Sequence, residues 1–468
     1  MTQYRNLIGG RLETADATIQ VINPANRNTI AHVPDLSQTQ LEQAVVAATT
    51  AFATWSETAL KHRQTLLSRL SKAILDNKTE LSTLLTTEQG KPLANAQGEI
   101  QRCADWLSYF SKIPELVGLM ERRIDDHAFA SKVPLGVVAA IVPWNFPMSL
   151  AIWKVAPAIL MGNTVIWKPS PFTPLTSLRL GEIIKDLVPA GVINIITGGD
   201  KLARALTAHP LINKIAFTGS TQTGKAIMAT AAQSIKRITL ELGGNDPAIV
   251  MDDADLEKHI PGIFWGAFAN NAQFCVAIKR LYVHEKIKDQ FLKRFIEYGR
   301  NVIVGDGLDP AVGIGPIQNE SQFFKVSAMI NAAKERGLEM ITLTETVPSA
   351  GYFVPVTLVI NPADEDETVV TEAFGPVLPI LFFNDVEEVI RRANDSAYGL
   401  ASSVWAQDTT LAQGIAKRLQ SGTTWINTIH VIKPQIPFSG HKQSGLGLEN
   451  GIEVLSEYAN TKSIVVGQ

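Results

Sequence analysis

From residue 133 onward, apolar positions come in blocks of two lengths. Short unbroken runs rich in valine and isoleucine fit strands buried on both faces. The longer stretches between them, apolar at helical spacing, fit helices. On this pattern residues 137–142, 164–167, 192–196 and 214–217 are expected strands, and 238–240 begins another extended run. Helices are expected at 149–160, stopped by Met161-Gly162-Asn163, from Thr173-Pro174 to about 187, at 201–208 and at 224–232. Such alternation predicts a doubly wound α/β sheet. Past Gly244 it starts again, with strand 248–250, a helical stretch leading to Cys275, strand 280–284 and helix 287–302. That reads as a second α/β domain reaching about Gly440, with Gly375-Pro376, Gly399 and Gly422 as turn punctuation. The tail, 458–466, contains Ser463-Ile464-Val465-Val466 and reads as extended.

The stretch 133–167 carries one formal charge, Lys154. Pro134, Pro143, Asn145, Pro147 and Pro157 interrupt it. A membrane span needs about 20 mostly apolar residues in one helix, so a buried strand, a turn and a buried helix explain the run better. A length of 468 residues predicts two or three domains. Net charge is −3, from 42 basic and 45 acidic side chains scattered along the chain. Neither nucleic acid nor a membrane surface is an expected partner. Two cysteines argue against a disulfide framework and suit a reducing, cytoplasmic location. Residues 1–6 lack the basic and apolar regions of a signal peptide.

Cys275 ends the segment Asn270-Asn271-Ala272-Gln273-Phe274-Cys275. Alone it fits a small core residue, the commoner fate of a free cysteine, as well as a nucleophile. A free thiol ionises at about pH 8.5, so a nucleophile there needs a helix N-terminus or a cationic neighbour. Glu241 ends a strand just before Gly243-Gly244, where the backbone turns tightly. A carboxylate there fits a base for water, or a surface turn. Asn145, between Trp144 and Phe146-Pro147, fits an oxyanion donor or a turn asparagine bonded to its own backbone. Thiol, carboxylate and amide together are the parts for acyl transfer through a thioester. The flanks of Cys103 are helix-like, and it reads as core. No G-x-G-x-x-G follows a strand. Instead Phe217-Thr218-Gly219-Ser220-Thr221 does, with Gly224 expected to open a helix whose first amides face a pyrophosphate. Lys168, at a strand end, fits a ribose or phosphate partner, or plain solvent. No His, Cys, Asp or Glu cluster has metal-ligand spacing, so no metal is expected.

In order along the chain come Trp144-Asn145-Phe146-Pro147, Lys168-Pro169-Ser170, Phe217-Thr218-Gly219-Ser220, Glu241-Leu242-Gly243-Gly244, Gln273-Phe274-Cys275, Glu372-Ala373-Phe374-Gly375-Pro376 and Pro437-Phe438-Ser439-Gly440. This series resembles the motifs of the NAD(P)-dependent aldehyde dehydrogenase superfamily, over nearly the full length. The resemblance implies an α/β, aldehyde dehydrogenase-like fold. Its parts would be a Rossmann-type cofactor-binding domain (1–113 and 133–242), an α/β catalytic domain (243–440) and a β oligomerisation arm (114–132 and 455–468). A homodimer or homotetramer follows from the same resemblance. So does oxidation of an aldehyde to a carboxylic acid with reduction of NAD or NADP. In these terms Cys275 attacks the aldehyde, Asn145 holds the oxyanion and Glu241 activates the hydrolytic water. Trp144, Lys168, Ser170, Gly219, Ser220, Gly224 and Leu242 would hold the dinucleotide, with Glu372 and Phe374 at the nicotinamide ribose and ring. Phe146, Trp153, Phe274, Val431 and Ile432 would line the substrate pocket.

The chain departs from the family pattern in places. Ala272 replaces the usual glycine before Gln273, and Phe274 sits directly beside the nucleophile. NAD-preferring members often carry glutamate where Pro171 stands, so both cofactors are expected to support turnover. Members that oxidise succinic semialdehyde carry arginine where Trp153 stands, so a neutral aliphatic or aromatic aldehyde is expected. Two other readings stay open: a CoA-acylating member, disfavoured by Glu241, and a catalytically silent structural or binding relative, disfavoured by intact Cys275, Glu241 and Asn145.

Overall fold

A computed structural model describes residues 3–113, 121–344 and 346–467. The apolar run at Val137–Ile141 is a strand with every residue buried, near the middle of an eight-stranded sheet. The strand order is Arg11–Glu13, Asn6–Ile8, Ile193–Ile195, Thr164–Lys168, Val137–Ile141, Ile212–Thr218, Arg237–Glu241, Gly445–Leu446. The five from Ile193–Ile195 to Arg237–Glu241 run parallel, and antiparallel strands flank them. Strand succession reverses between Val137–Ile141 and Ile212–Thr218. Open α/β sheets hold ligands at such a switch, beyond the carboxyl ends of the strands. Helix Pro147–Leu160 starts earlier than its apolar pattern suggests. Pro147 takes the first turn, where its missing N–H costs nothing, and all 14 residues are buried.

From Glu241 the chain crosses through Leu242-Gly243-Gly244-Asn245 into a seven-stranded sheet. Its order is Met340–Thr342, Thr357–Ile360, Val377–Phe383, Ile278–His284, Asp246–Val250, Ala401–Trp405, Thr423–Ile426. Only the first strand is antiparallel. Phe264, Phe268, Phe291 and Phe295 fill the core on one face. Past Gly440 the chain returns to the first sheet, where Gly445 and Leu446 pair with Glu241 and Leu240.

Ala459–Val465 pairs antiparallel with Ala128–Pro134, which pairs with Glu121–Arg123. Residues 114–120 of the expected arm, and residue 468, lie outside the described residues. Helices Gln38–Trp55, Leu60–Asp76, Lys78–Gln89 and Leu93–Ser111 fall outside the alternation read from the sequence. The second and fourth of them pack against helix Pro147–Leu160. Among the described residues, no helix is long and apolar enough to cross a membrane.

Candidate active site

Glu241 is the last residue of one sheet's strand, Asp246 is the first of the next sheet, and Cys275 lies three residues before strand Ile278–His284. The two glycines of the crossing allow this convergence. A Cβ on Gly243 would stand 2.4 Å from Glu372 Oε2, and one on Gly244 would stand 2.8 Å from the Cys275 carbonyl oxygen. Helix Leu256–Phe268 gives way before Cys275 to a turn, Ala269–Ala272. Asn270, Asn271 and Ala272 there have left-handed φ of 53°, 57° and 58°.

Gln273 anchors the thiol loop. Its Nε2 donates to the carbonyls of Asn270 (3.0 Å) and Pro316 (3.1 Å), and its Oε1 accepts from Gln318 N at 2.8 Å. Its own carbonyl accepts from Asn145 Nδ2 at 3.0 Å, which brings the amide to the cysteine loop. Asn145 Oδ1 has no partner among the described residues. The Asn145 carbonyl accepts from Lys91 Nζ at 2.8 Å and from Asn270 Nδ2 at 3.2 Å. Lys91 is wholly buried, pairs with Glu99 at 2.5 Å, and lies 3.9 Å from the centre of the Phe146 ring. Glu99 in turn accepts from Met148 N and Ser149 N, both at 3.1 Å, in the first turn of helix Pro147–Leu160.

Cys275 opens onto a cavity of about 300 Å³. Its walls include Phe146, Trp153, Phe274 and Ile432, as expected, together with Trp106, His430 and Phe438. Phe146 and Phe274 lie 4.5 Å apart, Trp153 stacks on Trp106 at 5.9 Å, and Phe438 meets Trp153 edge-on at 5.6 Å. Val431 is not part of the wall. It is 39% exposed, because left-handed residues at Asn427 and His430 turn the loop so that His430 and Ile432 line the cavity instead.

Burial pushes the Cys275 thiol up to about 12, with Lys279 opposing and Glu241, Asp246 and Glu372 adding to the rise. Burial also raises the Glu241 carboxyl well above the usual carboxylate range; Glu449 reinforces this and Lys154 opposes it. Glu241 Oε1 has no hydrogen-bond partner among the described residues, so an acceptor within electrostatic reach of the thiol is left free.

The expected cofactor residues gather at the carboxyl ends of the first sheet. Lys168 ends its strand buried, not solvated, and burial draws its amine down to about 8 against the pull of Asp200 and Asp35. Among the described residues its one hydrogen bond is a long 3.5 Å approach to the Pro169 carbonyl. Ser170 Oγ accepts from Phe172 N at 3.3 Å. The helix expected to open at Gly224 begins at Thr221 instead, because Ser220 caps it by accepting from Thr223 N at 3.2 Å. Gly224 lies within that helix where a Cβ would stand 2.5 Å from Leu242 Cδ2, and Leu242 N donates to the Ser444 carbonyl at 2.8 Å. A Cβ on Gly219 would stand 2.4 Å from the Phe217 ring. Trp144 and Phe374 meet edge to face at 5.4 Å, and Glu372 Oε1 accepts from Gly244 N at 3.2 Å. A capped helix start, a buried amine without a close carboxylate and a carboxylate at the crossing fit the phosphates and riboses of a dinucleotide.

The sequence matches the model of the Aldehyde dehydrogenase family over residues 12–464. The chain belongs to that family. It is 38% identical to the phenylacetaldehyde dehydrogenase of Pseudomonas fluorescens, over 99% of this chain and 96% of that protein. It is similar to a Staphylococcus aureus betaine aldehyde dehydrogenase solved with NAD+, at a TM-score of 0.94 and 32% identity, covering 99% and 94% of the two chains. It is also similar to an Escherichia coli NADP-dependent enzyme, at a TM-score of 0.94 and 35% identity, covering 100% and 98%. As a member of that family it is an aldehyde dehydrogenase.

Several groups around the site of this aldehyde dehydrogenase escape sequence reasoning. Lys279 Nζ donates to the Cys275 carbonyl at 2.5 Å and pairs with Glu372 at 3.3 Å. Lys154 and Glu449, both wholly buried, pair at 2.6 Å near Glu241. Ala94, Gly98, Arg102 and Trp106 line the cavity at four-residue spacing along helix Leu93–Ser111, a legible helical face whose partner is not. Among the described residues, no group of three His, Cys, Asp or Glu side chains is placed to hold a metal.

Proposed function

We propose that this aldehyde dehydrogenase oxidises a neutral, preferably aromatic aldehyde to its carboxylic acid through a thioester on Cys275. The cavity carries this reading. Trp106, Phe146, Trp153, Phe274 and Phe438 supply its large apolar walls, and of its basic residues Lys91 is neutralised by Glu99 while Arg102 is exposed. A substrate carboxylate packed against these rings would be desolvated, at a cost of several kcal/mol, roughly. Flat rings stack well on such walls.

In this reading Cys275 Sγ attacks the carbonyl, and Asn145 Nδ2 with a backbone amide holds the oxyanion. Lys168, Ser170, the helix start at Ser220 with Gly219, Gly224 and Leu242 beside it, Trp144, Glu372 and Phe374 would hold NAD or NADP, which supplies the hydride acceptor when bound. Glu241 then takes a proton from the water that cleaves the thioester. The chain divides into a cofactor-binding domain (1–113 and 133–242), a catalytic domain (243–440) and an arm (114–132 and 455–468) that joins copies into a homodimer or homotetramer in the cytoplasm. Exposed Val465 and Val466 at the end of the arm support the assembly.

A substrate panel followed by NAD(P)H absorbance tests the reading. The kcat/KM of benzaldehyde or phenylacetaldehyde is expected to exceed that of succinic semialdehyde by at least tenfold, roughly the discrimination one mismatched polar contact supplies. A semialdehyde acid used equally well would overturn it.

A further inference from the structure

His430 is fixed at the cavity wall with one ring nitrogen committed. Its Nε2 lies 3.1 Å from the Val276 carbonyl oxygen. A carbonyl only accepts, so Nε2 carries the proton. Burial draws the imidazole down to about 4; the Val276 bond opposes this, while Lys279 and Arg102 add to it. The ring is therefore neutral near pH 7, and Nδ1 is a bare acceptor. Nδ1 has no hydrogen-bond partner among the described residues. The ring cannot easily turn to find one. It packs 4.5 Å from Phe274 and edge-on to Trp425 at 6.1 Å, on a residue with left-handed φ of 57°. Of the polar neighbours in the wall, Lys91 is engaged with Glu99 and Asn145, and Asn270 Nδ2 with the Asn145 and Gln273 carbonyls, while Arg102 is exposed and acts on the ring through its charge.

We propose that Nδ1 of His430 accepts a hydrogen bond from a hydroxyl on the body of the substrate, so that the site selects hydroxylated aromatic aldehydes. This rests on the reading of the cavity as an aromatic aldehyde site. A hydroxyl pairs the acceptor that an unsubstituted ring leaves desolvated and unpaired. His430 is thereby a specificity residue, and the chemistry at Cys275 is unchanged.

The test compares kcat/KM for 2-, 3- and 4-hydroxybenzaldehyde with the matching fluorobenzaldehydes in wild type, His430→Leu and His430→Asn. Asparagine tolerates the left-handed backbone and keeps an acceptor. The intrinsic reactivity difference between the paired aldehydes is common to all three proteins, so a change in ratio reads the hydrogen bond. For at least one isomer the hydroxyl-to-fluoro ratio is expected to fall about fivefold or more in His430→Leu, with His430→Asn between. Ratios within about twofold of wild type in both variants would overturn the proposal. Should His430→Leu not fold, competitive inhibition of the wild type decides: phenol is expected to bind at least about fivefold tighter than fluorobenzene, and equal inhibition overturns the proposal. Turnover of benzaldehyde with a flat ratio would sink the role of His430 alone, whereas no aromatic turnover would sink the aromatic reading itself.

Discussion

Three left-handed residues in a row carry the chain into Cys275, and asparagine tolerates that backbone where alanine does not. At Ala272 the strain costs roughly 1–2 kcal/mol, partly offset in any glycine variant by the greater freedom of its unfolded chain. Ala272→Gly is therefore expected to stabilise the protein by about 0.5–1 kcal/mol, read as a higher urea midpoint; a lower midpoint would contradict the strain. Cys275, Glu241 and Asn145, the groups proposed to react, stand out in the sequence because each lies between unusual flanks. His430 does not. Which of His430 and Val431 faces inward depends on two left-handed backbone angles, which hydrophobic periodicity does not report.

Among elements, strands such as Val137–Ile141 and Thr164–Lys168 were readable because burial on both faces leaves continuous apolar runs. The helix at Pro147–Leu160 was readable for the same reason, but not what holds its first turn. Glu99, from another helix, caps it and is neutralised by Lys91, and no local pattern announces such a partner. Lys91→Met should leave a buried carboxylate unpaired and cost about 3–5 kcal/mol. Adding Glu99→Gln should restore part of that loss. Denaturant titration of the three proteins checks both statements, and a Lys91→Met variant as stable as wild type would refute the first.

At the scale of the molecule, the groups proposed to react come from separate elements brought together where two sheets meet at Gly243-Gly244. The repeated alternation revealed both sheets. The pairing of Asn6–Ile8 with Ile193–Ile195, and the return of Gly445–Leu446 beside Glu241, stayed hidden, because contacts between distant segments leave no periodic mark. The four helices between Gln38 and Ser111 were likewise hidden, although Ser37 forms a capping box with Gln40 at the start of the first. Only in the folded chain does the aromatic cavity open onto the thiol on one side, with the residues proposed to hold a dinucleotide gathered at the sheet's carboxyl ends.

The most direct measurement mixes Glu241→Gln with benzaldehyde and saturating NAD, then quenches in acid. A burst of about one NADH per subunit is expected, then slow turnover, lower by roughly 10²–10⁴, and a benzoyl mass on the peptide that contains Cys275. Cys275→Ser should show neither burst nor adduct. A Glu241→Gln enzyme that turns over at the wild-type rate, or a burst with no acyl group on Cys275, would contradict the thioester route.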